Sequence, residues 1–187
     1  MKTATATLSS VSPYSQSRYH AEPKLSKEGA DAHEERTWRK RLHVSDGGTV
    51  FIPPMAFKNC LDDSATYMSA ELQIPGQNKA RYTKHIHSGV LVLDGLDLGI
   101  GPDAVSGEWL RMSPSGKRND GKRVSRCYPR IDSWAGDVTF YIGDDTVTKD
   151  VFVKVLENAG RFVGIGRFRP LNRGFYGRFE VKGVKWS

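Results

Sequence analysis

From residue 2 to residue 14 the chain reads KTATATLSSVSPY, small and β-branched residues in alternation. That is the period of a strand with one buried face, and Ser12-Pro13 marks its end. Residues 15–41 are polar and charged with no core-forming period. Together with the residues up to 48 they read as an insertion or arm, a long loop that becomes ordered on assembly. A short strand follows at 50–52. Pro53 and Pro54 then stand where a helix tolerates proline, at its start. Phe57, Cys60, Leu61, Ser64, Ala65 and Met68 recur at helical spacing, with Lys58, Asp62, Asp63 and Thr66 on the opposite side.

Residues 74–88, IPGQNKARYTKHIHS, form a basic excursion, and Val90 to Leu93 is apolar and strand-like. Residues 95–130 are rich in glycine, proline and charge, and 100–130 reads as a basic loop or hairpin. Asp137 to Ile142 is a strand. Asp144 to Thr148 makes a turn and a helix cap, and Val151, Phe152, Val155, Leu156 and Ala159 give a helical face that ends at Gly160. A glycine-rich loop leads to alternation from Phe175 to Trp186, a last strand. Two strand-and-helix halves predict a single α+β domain over 1–187, a ferredoxin-like or RRM-like antiparallel sheet with helices on one face and long basic insertions.

Charge sharpens this picture. The 187 residues carry a formal net charge of +7, but the excess is concentrated. Arg111 to Arg130 holds seven Lys/Arg against Asp120, and Arg161 to Ser187 holds seven against Glu180, so the rest of the chain is net negative. Segregated positive charge is what a phosphate-binding surface requires. Cys60 and Cys127 are too few for a disulfide framework. Residues 1–10 lack the apolar run of a signal peptide and no segment has the length of a membrane span, so the expectation is a cytoplasmic protein with free thiols and no membrane contact.

The segment from Arg161 to Arg178 holds five arginines, four glycines and four aromatics. Glycines let a backbone approach a phosphate and expose N–H donors; arginines offer bidentate phosphate contacts; Phe168, Phe175 and Tyr176 are candidates to stack on unpaired bases. Ordinary core packing is the competing reading for Phe162, Phe168 and Phe175. Gly164-x-Gly166 is no dinucleotide fingerprint, because position 169 is arginine and the loop follows a helix. RGFYGRF at 173–179 misses the RNA-recognition-motif strand signature by one residue. His85 and His87 lack further ligands at metal-binding spacing, so neither metal nor cofactor is expected. His20, His33 and His43 each have the chemistry of a general base for 2′-hydroxyl attack, but no partner is visible for any of them, and no residue is given a catalytic role. The acidic pairs Asp62-Asp63 and Asp144-Asp145 have structural explanations on a helix and in a cap.

Three stretches carry a family resemblance. Leu8 to Ser15 (LSSVSPYS) is similar to an opening strand and turn, Phe51 to Leu61 (FIPPMAFKNCL) to a helix start that lies along guide RNA, and Gly164 to Gly177 to a C-terminal glycine-rich loop. In these the chain resembles the RAMP superfamily of CRISPR effector subunits, in particular the Cas7 backbone type. The resemblance implies an RRM-like palm, a thumb-like excursion at 74–88, head-to-tail stacking into oligomers or a filament, and other CRISPR effector subunits as partners. A compact stand-alone or phage-borne version is the form expected. The arm and the 74–88 excursion are then candidates for contacts between copies.

The function expected is sequence-independent, non-enzymatic binding of single-stranded RNA or DNA. The contact residues expected are Lys58 and Asn59 on the helix start; Lys79, Arg81 and Lys84 on the excursion; Lys122, Arg123 and Arg126 on the basic loop; and Gly164, Gly166, Arg167, Arg169, Arg173 and Arg178 in the glycine-rich segment. The alternatives are a metal-independent endoribonuclease of the RAMP type and a Cas7-mimicking module that binds a CRISPR complex.

Overall fold

The computed structural model describes residues 2–113, 121 and 123–187. Alternation in the first segment produces β1 (Lys2–Ser10), but Pro13 breaks it, and Tyr14–Ser15 forms a separate short strand, β2, in another sheet. Next come α1 (Ala30–Thr37), β3 (Phe51–Ile52), α2 (Pro54–Tyr67), α3 (Thr83–Gly89), β4 (Val90–Leu91), β5 (Leu96–Asp97), β6 (Ser106–Met112), β7 (Val124–Ile131), β8 (Ala135–Ile142), α4 (Lys149–Asn158) and β9 (Phe179–Trp186).

The main sheet has the order β4-β8-β1-β9, antiparallel throughout. With α2 between β1 and β4, and α4 between β8 and β9, this is the βαββαβ path of a ferredoxin-like α+β fold. Ala4, Ala6 and Leu8 of β1 and Val138, Phe140 and Ile142 of β8 are 0–2% exposed. They face a helical layer that buries Phe57, Cys60 and Leu61 of α2 and Phe152, Val155 and Leu156 of α4. Phe140 and Phe152 meet edge to face at 5.1 Å between centroids. Each large side chain sealed here contributes roughly 1.5–3 kcal/mol of transfer free energy. Ser64 fixes the helix pair, its hydroxyl donating to the Val155 carbonyl at 2.9 Å. The outer sheet face is a polar ladder: Thr5 meets Thr139 at 3.2 Å, Thr7 donates to Asp137 at 2.6 Å, and Ser9 donates to Glu180 at 3.1 Å.

A second sheet, β2-β7-β6, stands beside the first, and β3 pairs with β5. Here the structure departs from the pattern of the sequence. The 15–41 stretch is not a continuous loop: it contains α1 and a 3-10 turn at Trp38–Arg41. Trp38, buried, covers Gly107 of β6, where a Cβ would lie 3.2 Å from its ring. Glu34, 1% exposed, accepts hydrogen bonds from Arg41 Nη1 at 2.7 Å, from Arg126 Nη1 at 2.8 Å and from the Cys127 amide at 2.8 Å. Burial, the largest single influence, pushes the Glu34 carboxyl up; the bonds from Arg41, Cys127 and Arg126 together overcome it and hold the group below its ordinary 4.5. An arm with no hydrophobic period is thus held to β7 by a polar hub.

The last strand starts at Phe179, not Phe175, because residues 164–178 form a folded loop. The helical path also runs past Gly160 into a π-turn to Val163; a Cβ on Gly160 would lie 2.2 Å from the Phe179 carbonyl oxygen. Both thiols are unpaired and buried. Desolvation pushes Cys127 up to about 11 and raises Cys60 further. Among the described residues no helix is long and apolar enough to cross a membrane.

Candidate nucleic-acid interface

The site starts from the two prolines. Pro53 is extended, at φ −67° and ψ 148°, and Pro54 occupies the first helical position of α2, where a missing N–H costs nothing. No side chain caps this end and no acidic residue sits in its first turn. The positive end of a 14-residue helix is therefore left without a counter-charge of its own.

The glycine-rich loop reaches the same place from the other end of the chain. The π-turn after α4 closes with the Gly164 amide on the Ala159 carbonyl at 2.8 Å. The chain then packs against β2: the Arg167 amide donates to Ser15 at 2.9 Å and the Gly177 amide to Pro13 at 2.7 Å. Gly166 has φ +74°, and a Cβ there would lie 2.4 Å from the Tyr14 ring. Gly177 has φ +72°, and a Cβ would lie 1.8 Å from the Ile165 carbonyl oxygen. The amides of Gly164, Ile165 and Arg167 are all bonded within the protein. Of the four glycines, Gly164, Gly174 and Gly177 therefore do not expose N–H donors as expected, their amides being bonded within the protein; with Gly166 they let the loop pack closely, and the loop presents side chains. Gly177→Ala is expected to cost on the order of 3 kcal/mol, combining backbone strain with overpacking, read as a lower urea midpoint.

Between these elements lies an open groove of about 780 Å³, with Asn59, Arg18, His43, Arg167, Arg169 and Asn172 among its lining and, among the described residues, no carboxylate. Met55 and Ala56 bring the α2 N-terminus to its wall. Gln16, 2% exposed, fixes the floor: its amide donates to the Phe51 carbonyl at 2.7 Å and accepts from the His43 amide at 2.6 Å. The Arg167 guanidinium lies 3.7 Å from the Tyr128 ring centroid, and its Nη1 is buried with no hydrogen-bond partner among the described residues. Arg169 is turned toward α2, its Nη2 2.7 Å from Asp63.

Of the residues proposed from sequence, Asn59, Gly166, Arg167, Phe168 and Arg169 meet in this groove. Lys58 does not. It was placed on the solvent side of its helix, but α3 covers that flank, and its ammonium bonds Asp62 and the carbonyls of Ile86 and His87. Lys79, Arg81 and Lys84 are exposed on the 74–88 excursion, which contains α3 and does not line the groove. Arg123 is exposed near the start of β7, Arg126 is held by Glu34, and Lys122 lies outside the described residues. Arg173 is exposed in a left-handed turn at φ 62°. Gly164 is buried, and Arg178 lines a different cavity with Arg161.

Among the aromatics, Phe168 and Phe175 are 47% and 54% exposed, so neither is core, and Phe162 is 45% exposed and stacked on Tyr67. Tyr176 is the opposite case. It is 3% exposed, and its hydroxyl donates to Glu108 at 2.6 Å, which rules it out as an open stacking platform. Arg18, Gln16 and Asn172 were not singled out in the sequence. Each is an isolated polar residue in a polar stretch, and only the return of the glycine loop onto β2 gives them a common location.

The histidines disperse. His85 Nδ1 meets Asp144 at 2.6 Å, His87 lies 3.2 Å from the Thr66 hydroxyl, and His33 lies 2.9 Å from the Glu22 carbonyl. His43 alone of the five lines the groove; burial first, and Arg18 second, hold its imidazole below the ordinary 6.5.

No family model matches the chain, and no curated protein matches it. Among solved structures, the crystal structure of Cmr6 from Pyrococcus furiosus is similar at 16% identity and a TM-score of 0.49, over 97% of this chain and 99% of that one.

Proposed function

We propose that the protein binds the backbone of single-stranded RNA or DNA in this groove, without sequence preference and without catalysing a reaction. One observation carries the reading: the start of α2 and the glycine-rich loop, more than 100 residues apart in the chain, line one groove whose wall offers arginines and a helix N-terminus and, among the described residues, no carboxylate. These are also two of the three stretches on which the resemblance to the RAMP superfamily rests. Phosphates suit such a lining, and exposed Phe168 beside it suits unpaired bases better than a stacked duplex. Association with further copies head to tail, and with other subunits of a CRISPR effector complex, belongs to the same reading.

The test is fluorescence anisotropy with labelled homopolymers of about 15 nucleotides, as RNA and as DNA, and with duplexes of the same length. Affinity for single strands is expected to fall with salt, with a slope of roughly −0.7 for each phosphate neutralised. Absence of binding to any single strand at low salt overturns the proposal.

A second reading, a metal-independent ribonuclease, has His43 in its favour. Its imidazole lines the groove and is held in the neutral form that a general base requires. RNA left intact on long incubation in EDTA removes it.

A further inference from the structure

A second groove, of about 760 Å³, adjoins the first. Arg18 lines both. Tyr19, His20, Arg36, Arg39 and Lys40 line the second, again with no carboxylate in its wall among the described residues. It exists because the Arg18 amide donates to the Arg41 carbonyl at 3.0 Å, which lays residues 18–21 alongside the Trp38–Arg41 turn.

Carboxylates outside the lining pair with two of these cations. Glu28 holds Arg36 Nε at 2.8 Å, and Glu22 takes both Arg36 and Lys40. Arg39 is anchored differently. Its guanidinium lies 4.2 Å from the Trp38 ring centroid, and its carboxylate partner among the described residues, Asp103, is fully exposed and 3.6 Å away. Tyr19 is 86% exposed. His20 Nδ1 is buried with no partner among the described residues, and burial, then Arg41, His33 and Lys40, push that imidazole below 6.5 against the pull of Glu34. Three features therefore coincide: cations lining an acid-free wall, an exposed aromatic ring, and continuity with the first groove through Arg18.

We propose that a strand bound in the first groove continues past Arg18 into the second, so that the 15–48 arm is a nucleic-acid-binding element, with Tyr19 stacking on a base and Arg39 and Lys40 contacting phosphates. The inference rests on the nucleic-acid reading of the first groove. The cations that line this wall favour a polyanionic strand as its occupant. The consequence is a longer binding site than the glycine loop alone provides.

The test compares labelled oligouridylate and oligothymidylate of about 4 and about 12 nucleotides at low salt. The variants are Tyr19→Ala/Arg39→Ala, both outside the Glu34 hub, and the same pair with Lys40→Ala. Thermal midpoints check the fold, and 4-thiouridine in the longer strand reports position by photo-cross-linking. Expected are a loss of about tenfold for the long strand with the triple variant, a smaller loss with the double variant, unchanged affinity for the short strand, and a cross-link on the Tyr19–His20 peptide. If both variants bind the long strand as the parent does and every cross-link falls on the 164–178 loop, the inference is overturned and the first groove stands. If the variants instead dissociate an oligomer while leaving strand affinity intact, the arm belongs to copy-to-copy association and the inference is equally overturned. A parent that binds neither length overturns the first groove itself.

Discussion

Replacing Arg18 and Arg167 together by alanine is expected to weaken single-strand binding by roughly hundredfold near physiological salt, at about 1.4 kcal/mol for each charge-assisted hydrogen bond removed. The slope of log affinity on log salt should flatten by about 1.4, two phosphates at about 0.7 each. Arg167 dominates for a structural reason. Tyr128 holds its guanidinium in one place on the groove wall, and no carboxylate pairs with it among the described residues, so it is preorganised without a counter-charge. Arg169, in contrast, already faces Asp63 at 2.7 Å, so Arg169→Ala removes a brace on α2 together with a proposed phosphate contact. Lys182→Ala is the charge control. It sits on β9 paired with Glu180, outside the groove, and should leave affinity and slope unchanged. Equal weakening by Lys182→Ala and by the double variant would show that net charge, and not the groove, governs binding.

The largest effect on stability is expected from Glu34→Ala, about 4 kcal/mol, because it leaves the Cys127 amide unpaired and strips the largely buried Arg41 of its counter-charge, with only the Cys127 carbonyl still accepting from it. For a chain of this length the thermal midpoint should fall on the order of 10 °C. The acid limb gives an independent check. The folded carboxyl lies below its ordinary 4.5, so its contribution is complete above that value and is lost as pH falls through the lower folded value. Urea unfolding at pH 7 and near pH 4 should therefore show the gap between parent and variant narrowing on the acid side. A variant as stable as the parent at neutral pH would show that the arm does not depend on this hub.

The residues that built the main sheet and its two helices were legible because their burial is periodic. Ala4, Ala6 and Leu8 alternate, and Phe152, Val155 and Leu156 share a helical face. Glu34 was not legible. A glutamate among charges reads as solvated, and its partner amide lies 93 residues away. Lys58 misled for the same reason in reverse: helical spacing gave its side correctly, but nothing local says that α3 covers that side. The glycine-rich loop was found by composition, yet its glycines serve packing against Tyr14 and Ile165, a property of the folded pair and not of the segment. Phe168 and Tyr176 look alike in sequence and differ only in which way the closed loop turns them.

The convergence of residues 14–18, 43, 53–59 and 166–172 on one groove has a consequence for biosynthesis. A ribosome releases the chain from its N-terminus, so the wall formed by Arg167 and Arg169 emerges more than 100 residues after the start of α2. Nascent chains therefore display helix, arm and hairpin before they possess a groove. On the proposed reading, affinity for a strand follows only after the glycine-rich loop has emerged and closed on β2.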